Sequence, residues 1–501
     1  MKKIVYMFCT CAMIIFFTLA LIIPSYGAEK EQNIDVSRLS SKSKRCLGCH
    51  ENATPGIVED WYTSLHSRTT PQMALEKEKL SRRISAESVK EDLSGNIVGC
   101  YECHSLNVEQ HKDSFNHFGL KINVVVSPKD CAICHPIEEK EYVPSKKGYA
   151  VSNLEKNALF KTLVDTVISL KEIREGKIVP MEVSETTKMD TCYGCHGTEV
   201  KVTGTKRISS GPLTVTVPDL QNWPNQGVGR INPDGSRGAC SSCHPRHSFS
   251  IEIARKPYTC AQCHLEPDVP AWNVYKESKH ANIYSSKYHD WDFNNVPWML
   301  GKDIKAPTCA TCHNSLLTNP KGRVIVPRTH DFGSRLWVRI FGLVYSHPQP
   351  KSGDTSIIKN KDGLPMPTDF TGNEATDYLI DDQEQQARQD NTMQICITCH
   401  GTNWVQMHFA KLNATIKETD RMVLNATLLL TNAWGKNLAD NTNPFDETIE
   451  QQWITQWLFY ANSIRYASAM TGAPDYAAFK NGWWEMTRNL KNMEEWIKLH
   501  Q

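Results

Sequence analysis

The stretch Cys240-Ser-Ser-Cys243-His244-Pro-Arg-His247, followed closely by Cys260-Ala-Gln-Cys263-His264, repeats one short pattern twice within 25 residues. Read outward, Cys-x-x-Cys-His recurs upstream as Cys46-Leu-Gly-Cys49-His50, Cys100-Tyr-Glu-Cys103-His104, Cys131-Ala-Ile-Cys134-His135 and Cys192-Tyr-Gly-Cys195-His196. Downstream it recurs as Cys309-Ala-Thr-Cys312-His313 and Cys396-Ile-Thr-Cys399-His400. Of 18 cysteines, Cys9 and Cys11 lie near the N-terminus, and the remaining 16 are all used by these eight motifs. Nothing is left for disulfides. The intervals between motifs run from 20 to 87 residues, so the chain is not a short regular repeat.

Two thiols three positions apart lie on one face of a helical turn, where they add to the two vinyl groups of one haem; the adjacent histidine then reaches the iron. Zinc ribbons and redox dithiols also use Cys-x-x-Cys pairs. Eight copies, each followed by His, favour eight covalently attached c-type haems over either. The eight iron ligands on the proximal side are then His50, His104, His135, His196, His244, His264, His313 and His400. Ten further histidines remain: His66, His111, His117, His247, His280, His289, His330, His347, His408 and His500. An iron with two His ligands suits electron transfer, and an iron with one is open to substrate.

Residues 1–28 read as a secretory signal, with Lys2 and Lys3, an apolar run from Ile4 to Ile23, and Ser25-Tyr26-Gly27-Ala28 for cleavage. The run also approaches the roughly 20 residues of a membrane anchor. The expected location is outside the cytoplasm, in a periplasm or equivalent compartment, with no span in the mature chain. A formal charge of +1 gives no reason to expect nucleic acid.

The expected fold is mainly α: a multihaem cytochrome c domain with little β over 29–415, followed by a C-terminal bundle of long helices over 416–501. The stretches 197–239 and 314–375, rich in Gly, Pro, Asn and Thr, read as loops or brief strands. Three cysteine-free helices are expected. The first runs from Ile416 to Trp434 and stops at Gly435. The second starts at Asp446 with a stripe of Ile449, Trp453, Trp457, Tyr460, Ile464 and Ala467. The third starts at Asp475 with Phe479, Trp483, Met486, Leu490, Met493 and Ile497. Tyr466 lies off the second helix's main stripe, on a face shared with Phe459, Asn462 and Met470. Two apolar faces imply packing on two sides.

The motifs, their flanks and the cysteine-free helical end resemble the octahaem hydroxylamine oxidoreductase family, which includes the hydrazine dehydrogenases of anaerobic ammonium oxidisers. The most specific segments are His117-Phe-Gly-Leu-Lys-Ile-Asn-Val-Val-Val-Ser-Pro-Lys-Asp130, Cys240 to His247, Glu277-Ser-Lys-His280, Ala306 to His313 and Arg328-Thr-His-Asp-Phe-Gly333. The resemblance implies that the haem of Cys192, Cys195 and His196 is catalytic. It also implies seven distal ligands, assigned to His66, His117, His247, His280, His289, His330 and His408, with His347 and His111 in reserve. A tyrosine from a neighbouring subunit, cross-linked to the catalytic haem and biasing it toward oxidation, corresponds by motif to Tyr466, with Tyr476 as competitor. A homotrimer is the family's form, and on this resemblance the partners are a small nitrogen substrate and a soluble acceptor such as a small cytochrome c. In an anaerobic ammonium oxidiser the compartment would be the anammoxosome lumen. After the sixth motif the family commonly reads Gly-Pro-Asp-His; this chain reads Glu266-Pro-Asp268-Val269, keeping the Asp and losing the His. Asp268 is the expected proton-handling residue. The expected activity is oxidation of hydrazine or hydroxylamine. Nitrite or hydroxylamine reduction, and electron carriage without a substrate, are the alternatives.

Overall fold

The computed structural model describes residues 34–210 and 213–501; the signal reading of 1–28 lies outside them. Around the motifs the backbone makes brief helical turns, since each needs only one turn to present two thiols and an imidazole. Cys100–His104, Cys192–His196 and Cys309–His313 are five-residue helices, and Cys240–Ser242 is a single 3-10 turn. The first and last motifs ride on longer helices, Ser41–Ala53 and Asp382–Ile397, each opened by a side-chain cap from Ser40 or Asp381. A buried junction locks the first two motifs together. Ser43 Oγ donates to Glu102 Oε2 at 2.6 Å and accepts from the Tyr101 amide at 3.0 Å. Only glycine fits beside it, because a Cβ on Gly99 would stand 2.6 Å from Ser43 Oγ.

Among the described residues no sheet exceeds three strands, as a mainly α chain with little β should show. The 197–239 stretch nevertheless holds a substantial antiparallel hairpin, Lys201–Ser210 with Leu213–Gln221, in place of the loops or brief strands expected. Its Val202, Thr205, Val215 and Val217 have the β-branched character that favours strands, which the abundance of Gly and Pro nearby obscured. A shorter hairpin, Ser114–His117 with Leu120–Asn123, carries His117.

The largest apolar core lies at the C-terminal end, where Val423, Leu430, Ile449, Trp453, Trp457, Ile464, Met486, Met493 and Ile497 pack with Leu343 and Val344. Each such side chain contributes roughly 1.5–3 kcal/mol on burial. The first helix of this region begins fourteen positions earlier than expected and runs unbroken from Thr402 to Gly435. The expected domain change at 415–416 therefore falls inside a helix, which carries His408 and buries Val405, Phe409 and Leu412 on the same stripe as Ile416.

The second rod spans Thr448–Ile454 and Ala461–Met470 with a π-helical middle at Thr455–Tyr460. Its N-cap is Glu447, not Asp446. The π segment inserts an extra residue, which shifts the apolar stripe and lets both Trp457 and Ile464 stay buried. The third helix is interrupted. A turn at Pro474–Ala478 ends before Trp483–His500, with Asn481 at φ 55°. Phe479, expected on the buried stripe, sits in the break and is 62% exposed.

Candidate functional site

Two imidazoles bound to opposite faces of one iron, each nitrogen about 2 Å from the metal, place their ring centroids roughly 6.3 Å apart. Three histidine pairs meet that figure: His50 with His117 at 6.2 Å, His66 with His135 at 6.4 Å and His280 with His400 at 6.1 Å. Each joins a motif histidine to one from outside the motifs. Burial and the neighbouring His104 hold His247 down at about 4; burial and His244 hold His330 down at about 3. Both are thereby neutral imidazoles near pH 7, the form that binds iron. The far nitrogens of several motif histidines are also prepared. His50 Nδ1 meets Thr54 Oγ1 at 2.8 Å, His104 Nδ1 meets the Asn123 carbonyl at 2.8 Å, and His313 Nδ1 meets the Phe332 carbonyl at 3.4 Å. Such bonds fix the ring and leave Nε2 for the metal. These residues fit haem iron.

The motifs also touch one another. Sulfur atoms of neighbouring motifs lie close together at Cys46 and Cys100, Cys131 and Cys240, Cys195 and Cys263, and Cys260 and Cys309. Cys103 lies within electrostatic reach of Cys134, Cys243 of Cys260, and Cys396 of Cys312. The motifs thus adjoin in the order first, second, third, fifth, sixth, seventh, eighth, with the fourth branching from the sixth. A string of neighbouring redox centres of this kind relays electrons from one end of the molecule to a branch point.

The other expected ligands fare differently. His408 lies beside the His280–His400 pair, with Nδ1 on Thr471 Oγ1 at 3.0 Å and its ring parallel to Trp404. His289 is exposed on the turn Tyr288–Asp290, against the Tyr288 ring. Of the two reserves, His347 is buried in a strand pair opposite Arg339, with Nδ1 on the Pro348 carbonyl at 2.6 Å. His111 is committed elsewhere, since both ring nitrogens contact carboxylates, Asp113 and Asp130, at 3.1 Å. Burial opposes its charge, but those two hydrogen bonds prevail and lift it to about 9. It is a buried imidazolium.

The fourth motif is surrounded by other chemistry. Nδ1 of His196 faces the Ala150 carbonyl at 3.4 Å. The carboxylate of Asp268 acts electrostatically on both Cys192 and Cys195, and the charges of Lys147 and, less strongly, Arg339 act on His196. Tyr466 sits within reach of both Asp268 and Arg339, and burial pushes its phenol up to about 12. Burial likewise raises the Asp268 carboxyl, against bonds from its own and Val269's amides. The Asp268 loop is held to the Tyr466 helix by Asn462 Nδ2, which donates to the Asp268 carbonyl at 3.1 Å. One chain therefore brings Tyr466 to its own fourth motif. Tyr476 packs in the same small apolar cluster as Tyr466, but its hydroxyl is engaged, donating to Glu266 Oε2 at 2.9 Å. Val269 is half-buried in the same loop.

Sequence reasoning missed Arg339. It stands in a segment with no motif, and only the pairing of Val338–Arg339 with His347–Pro348 and the clamp from Arg465 bring it to the site.

Comparison with known proteins accords with these centres. Two family models match, one described as seven times multi-haem cytochrome CxxCH over residues 233–324, the other as cytochrome c554 and c-prime over residues 45–121. A solved structure described as a hypothetical multiheme protein is 40% identical, with TM-score 0.88, over 95% of this chain and 98% of its own. The chain belongs to the hydroxylamine oxidoreductase-like multihaem cytochromes c. A second member of this fold, a reducing HAO-like protein complex of Kuenenia stuttgartiensis, aligns at TM-score 0.56 and 16% identity over 92% of this chain and 85% of its own. At that identity the likeness is one of fold. A curated relative from the same organism, described as a probable nitrite reductase-hydroxylamine oxidoreductase fusion protein, is 24% identical over 410 residues. The aligned region is 78% of this chain but 38% of that relative, so the chain spans about two fifths of its length. As a family member the protein is a redox protein with covalently bound c-type haems. No described helix is long and apolar enough to cross a membrane.

Proposed function

We propose that the protein reduces a small oxidised nitrogen compound at the haem of the fourth motif, drawing electrons through the other haems from a soluble redox partner outside the cytoplasm. One observation carries this reading. Three motif histidines elsewhere, His50, His135 and His400, face a second histidine, whereas the surroundings of His196 supply an acid, a phenol and two cations, Lys147 and Arg339. When bound, the haem supplies electrons and one open coordination position. The protein supplies protons. Desolvation by the surrounding protein raises the Asp268 carboxyl from its ordinary value and pushes the Tyr466 phenol up to about 12, which favours proton donation over proton loss at both groups as electrons arrive. Reduction of nitrite to ammonium consumes six electrons and eight protons and releases two waters; reduction of hydroxylamine consumes two electrons and three protons and releases one.

The oxidation implied by the family resemblance would use the same site in the opposite sense. Three features favour reduction: the loss of the family's His at Val269, the raised Asp268 carboxyl, and the cations Lys147 and Arg339 beside the site. The test is ligand binding and turnover in the haem-loaded protein. Carbon monoxide should bind the reduced protein at the open fourth iron, and a reduced viologen should be reoxidised by nitrite or hydroxylamine. A reduced protein that binds no carbon monoxide would instead be a pure electron carrier, and the proposal would fall.

A further inference from the structure

We infer that Arg339 is the anion-binding residue of the fourth-haem site, which makes its substrate a small nitrogen oxyanion such as nitrite and not an amine. The inference deepens the reading above and rests on it. Its basis is how the guanidinium is placed and what it leaves unused. Arg465, fully buried, anchors the backbone next to Arg339: Nη1 donates to the Ile340 carbonyl at 2.9 Å, Nε donates to Thr419 Oγ1 at 2.9 Å, and Nη2 pairs with Asp420. Because Arg465 precedes Tyr466 and Ile340 follows Arg339, this one clamp sets the guanidinium beside the phenol. The strand pair with His347 fixes the same segment from the other side.

The Arg339 side chain is half-buried, and its Nε donates to the Phe341 carbonyl at 2.7 Å. Among the described residues its two terminal nitrogens make no hydrogen bond and it pairs with no carboxylate. Three other enclosed arginines are spent, whereas Arg246, over the Trp223 ring, also leaves its Nη2 without a partner. Arg230 donates to Asn232 and to the Asn225 carbonyl, Arg255 to the carbonyls of Phe293 and Asn295, and Arg335 to the Ser315 carbonyl among others. Arg339 keeps a planar, two-pronged donor free within reach of Tyr466, whose helix is tied to the Asp268 loop. A guanidinium in that position binds an oxyanion through paired charge-assisted hydrogen bonds and repels a protonated amine. The rival occupant of the same donors is a carboxylate of the haem itself.

The experiment uses the full-length, haem-loaded protein with Arg339→Gln and Arg339→Lys. Three quantities are read by visible spectroscopy: the nitrite Kd of the oxidised protein, the carbon monoxide Kd of the reduced protein, and the midpoint potential of the ligand-free fourth haem. Arg339→Gln should weaken nitrite about 10- to 100-fold. Arg339→Lys should recover part of that loss, and carbon monoxide, a neutral ligand, should bind all three proteins alike. The two-histidine haem spectra report that each variant has folded. Unchanged nitrite affinity overturns the inference, as does an equal loss of nitrite and carbon monoxide. A shift in potential without a change in nitrite affinity assigns Arg339 to the haem carboxylate and also overturns it. Should the parent protein bind neither ligand, the open-haem reading fails first and takes this inference with it.

Discussion

The first and fourth motifs have the same five-residue pattern and opposite surroundings. His50 has a threonine at its back and the His117 imidazole across from it, a pair of imidazoles spaced for one iron. His196 is backed by a main-chain carbonyl and approached by Asp268, Tyr466 and Arg339. On the proposed reading, what distinguishes relay from reaction is therefore not the attachment sequence but what the rest of the fold brings around it. The second imidazole at the first motif comes from a hairpin, Ser114–His117 with Leu120–Asn123. The fourth motif's acid comes from a loop after the sixth motif, its phenol from a helix of the C-terminal core, and its guanidinium from a strand between them.

The largest expected effect tests the fourth-motif side. Asp268→Asn keeps the size and the amide contacts but removes the proton, and turnover should fall by roughly 10²- to 10⁴-fold while carbon monoxide binding is retained. On the proposed mechanism the acid form of Asp268 is the active one. Since burial raises this carboxyl, activity should persist above the ordinary carboxylate range and decline as pH climbs through the raised value. A pH profile unchanged by the substitution would remove Asp268 from proton delivery and weaken the contrast between the motifs.

A second test concerns a histidine that the two-ligand pattern passes over. His111 lies six positions before His117 but is charged between Asp113 and Asp130. Its folded value of about 9 exceeds the unfolded value near 6.5, so its contribution is fully present below pH 6.5 and is lost as pH rises through 9. That window corresponds to about 3 kcal/mol. Urea midpoints measured from pH 6 to pH 10 should drop in the parent protein, and the drop should be largely absent in His111→Gln. An equal drop in both would assign the pH dependence to other groups.

The third test converts one environment toward the other. His117→Ala removes the second imidazole from the first motif and should create a new carbon monoxide site in the reduced protein, without creating new nitrite turnover, because no acid or guanidinium attends it. Turnover appearing at that haem would show that an open iron alone is sufficient, and the contrast drawn here would fail.

These tests also mark how far the amino-acid sequence could be read. The attachment sites were legible because their chemistry is local: two thiols and an imidazole within five residues. Spare histidines were legible as a set, but their partners were not, since His66 reaches the third motif and His280 the eighth only through tertiary packing. His111 shows why counting could not sort them; its fate depends on Asp130, nineteen residues away, and Asp113 beside it. The C-terminal stripe was legible from its period up to Ala467, yet the π segment and the break around Asn481 depend on backbone geometry that no apolar pattern records. Arg339 was invisible because its neighbours, Arg465 and His347, are brought to it by a clamp and a two-residue strand pair.

The smallest effect probes the back of the first motif. Thr54 Oγ1 meets His50 Nδ1 at 2.8 Å, and the threonine makes no side-chain cap to the helix that follows it, so Thr54→Val removes one bond and little else. That bond lends electron density to the imidazole and stabilises the ferric iron. Its loss is expected to cost about 1 kcal/mol, equivalent to roughly 40 mV for a one-electron couple, raising the potential of the first haem. At the fourth motif the corresponding bond goes to the Ala150 carbonyl, which no side-chain change can delete. The potential of the fourth haem and its nitrite affinity should therefore be unmoved in Thr54→Val. A shift of the fourth haem instead of the first would show that the two environments are electrostatically coupled along the relay, and the comparison would then have to be drawn between halves of the haem array and not between single motifs.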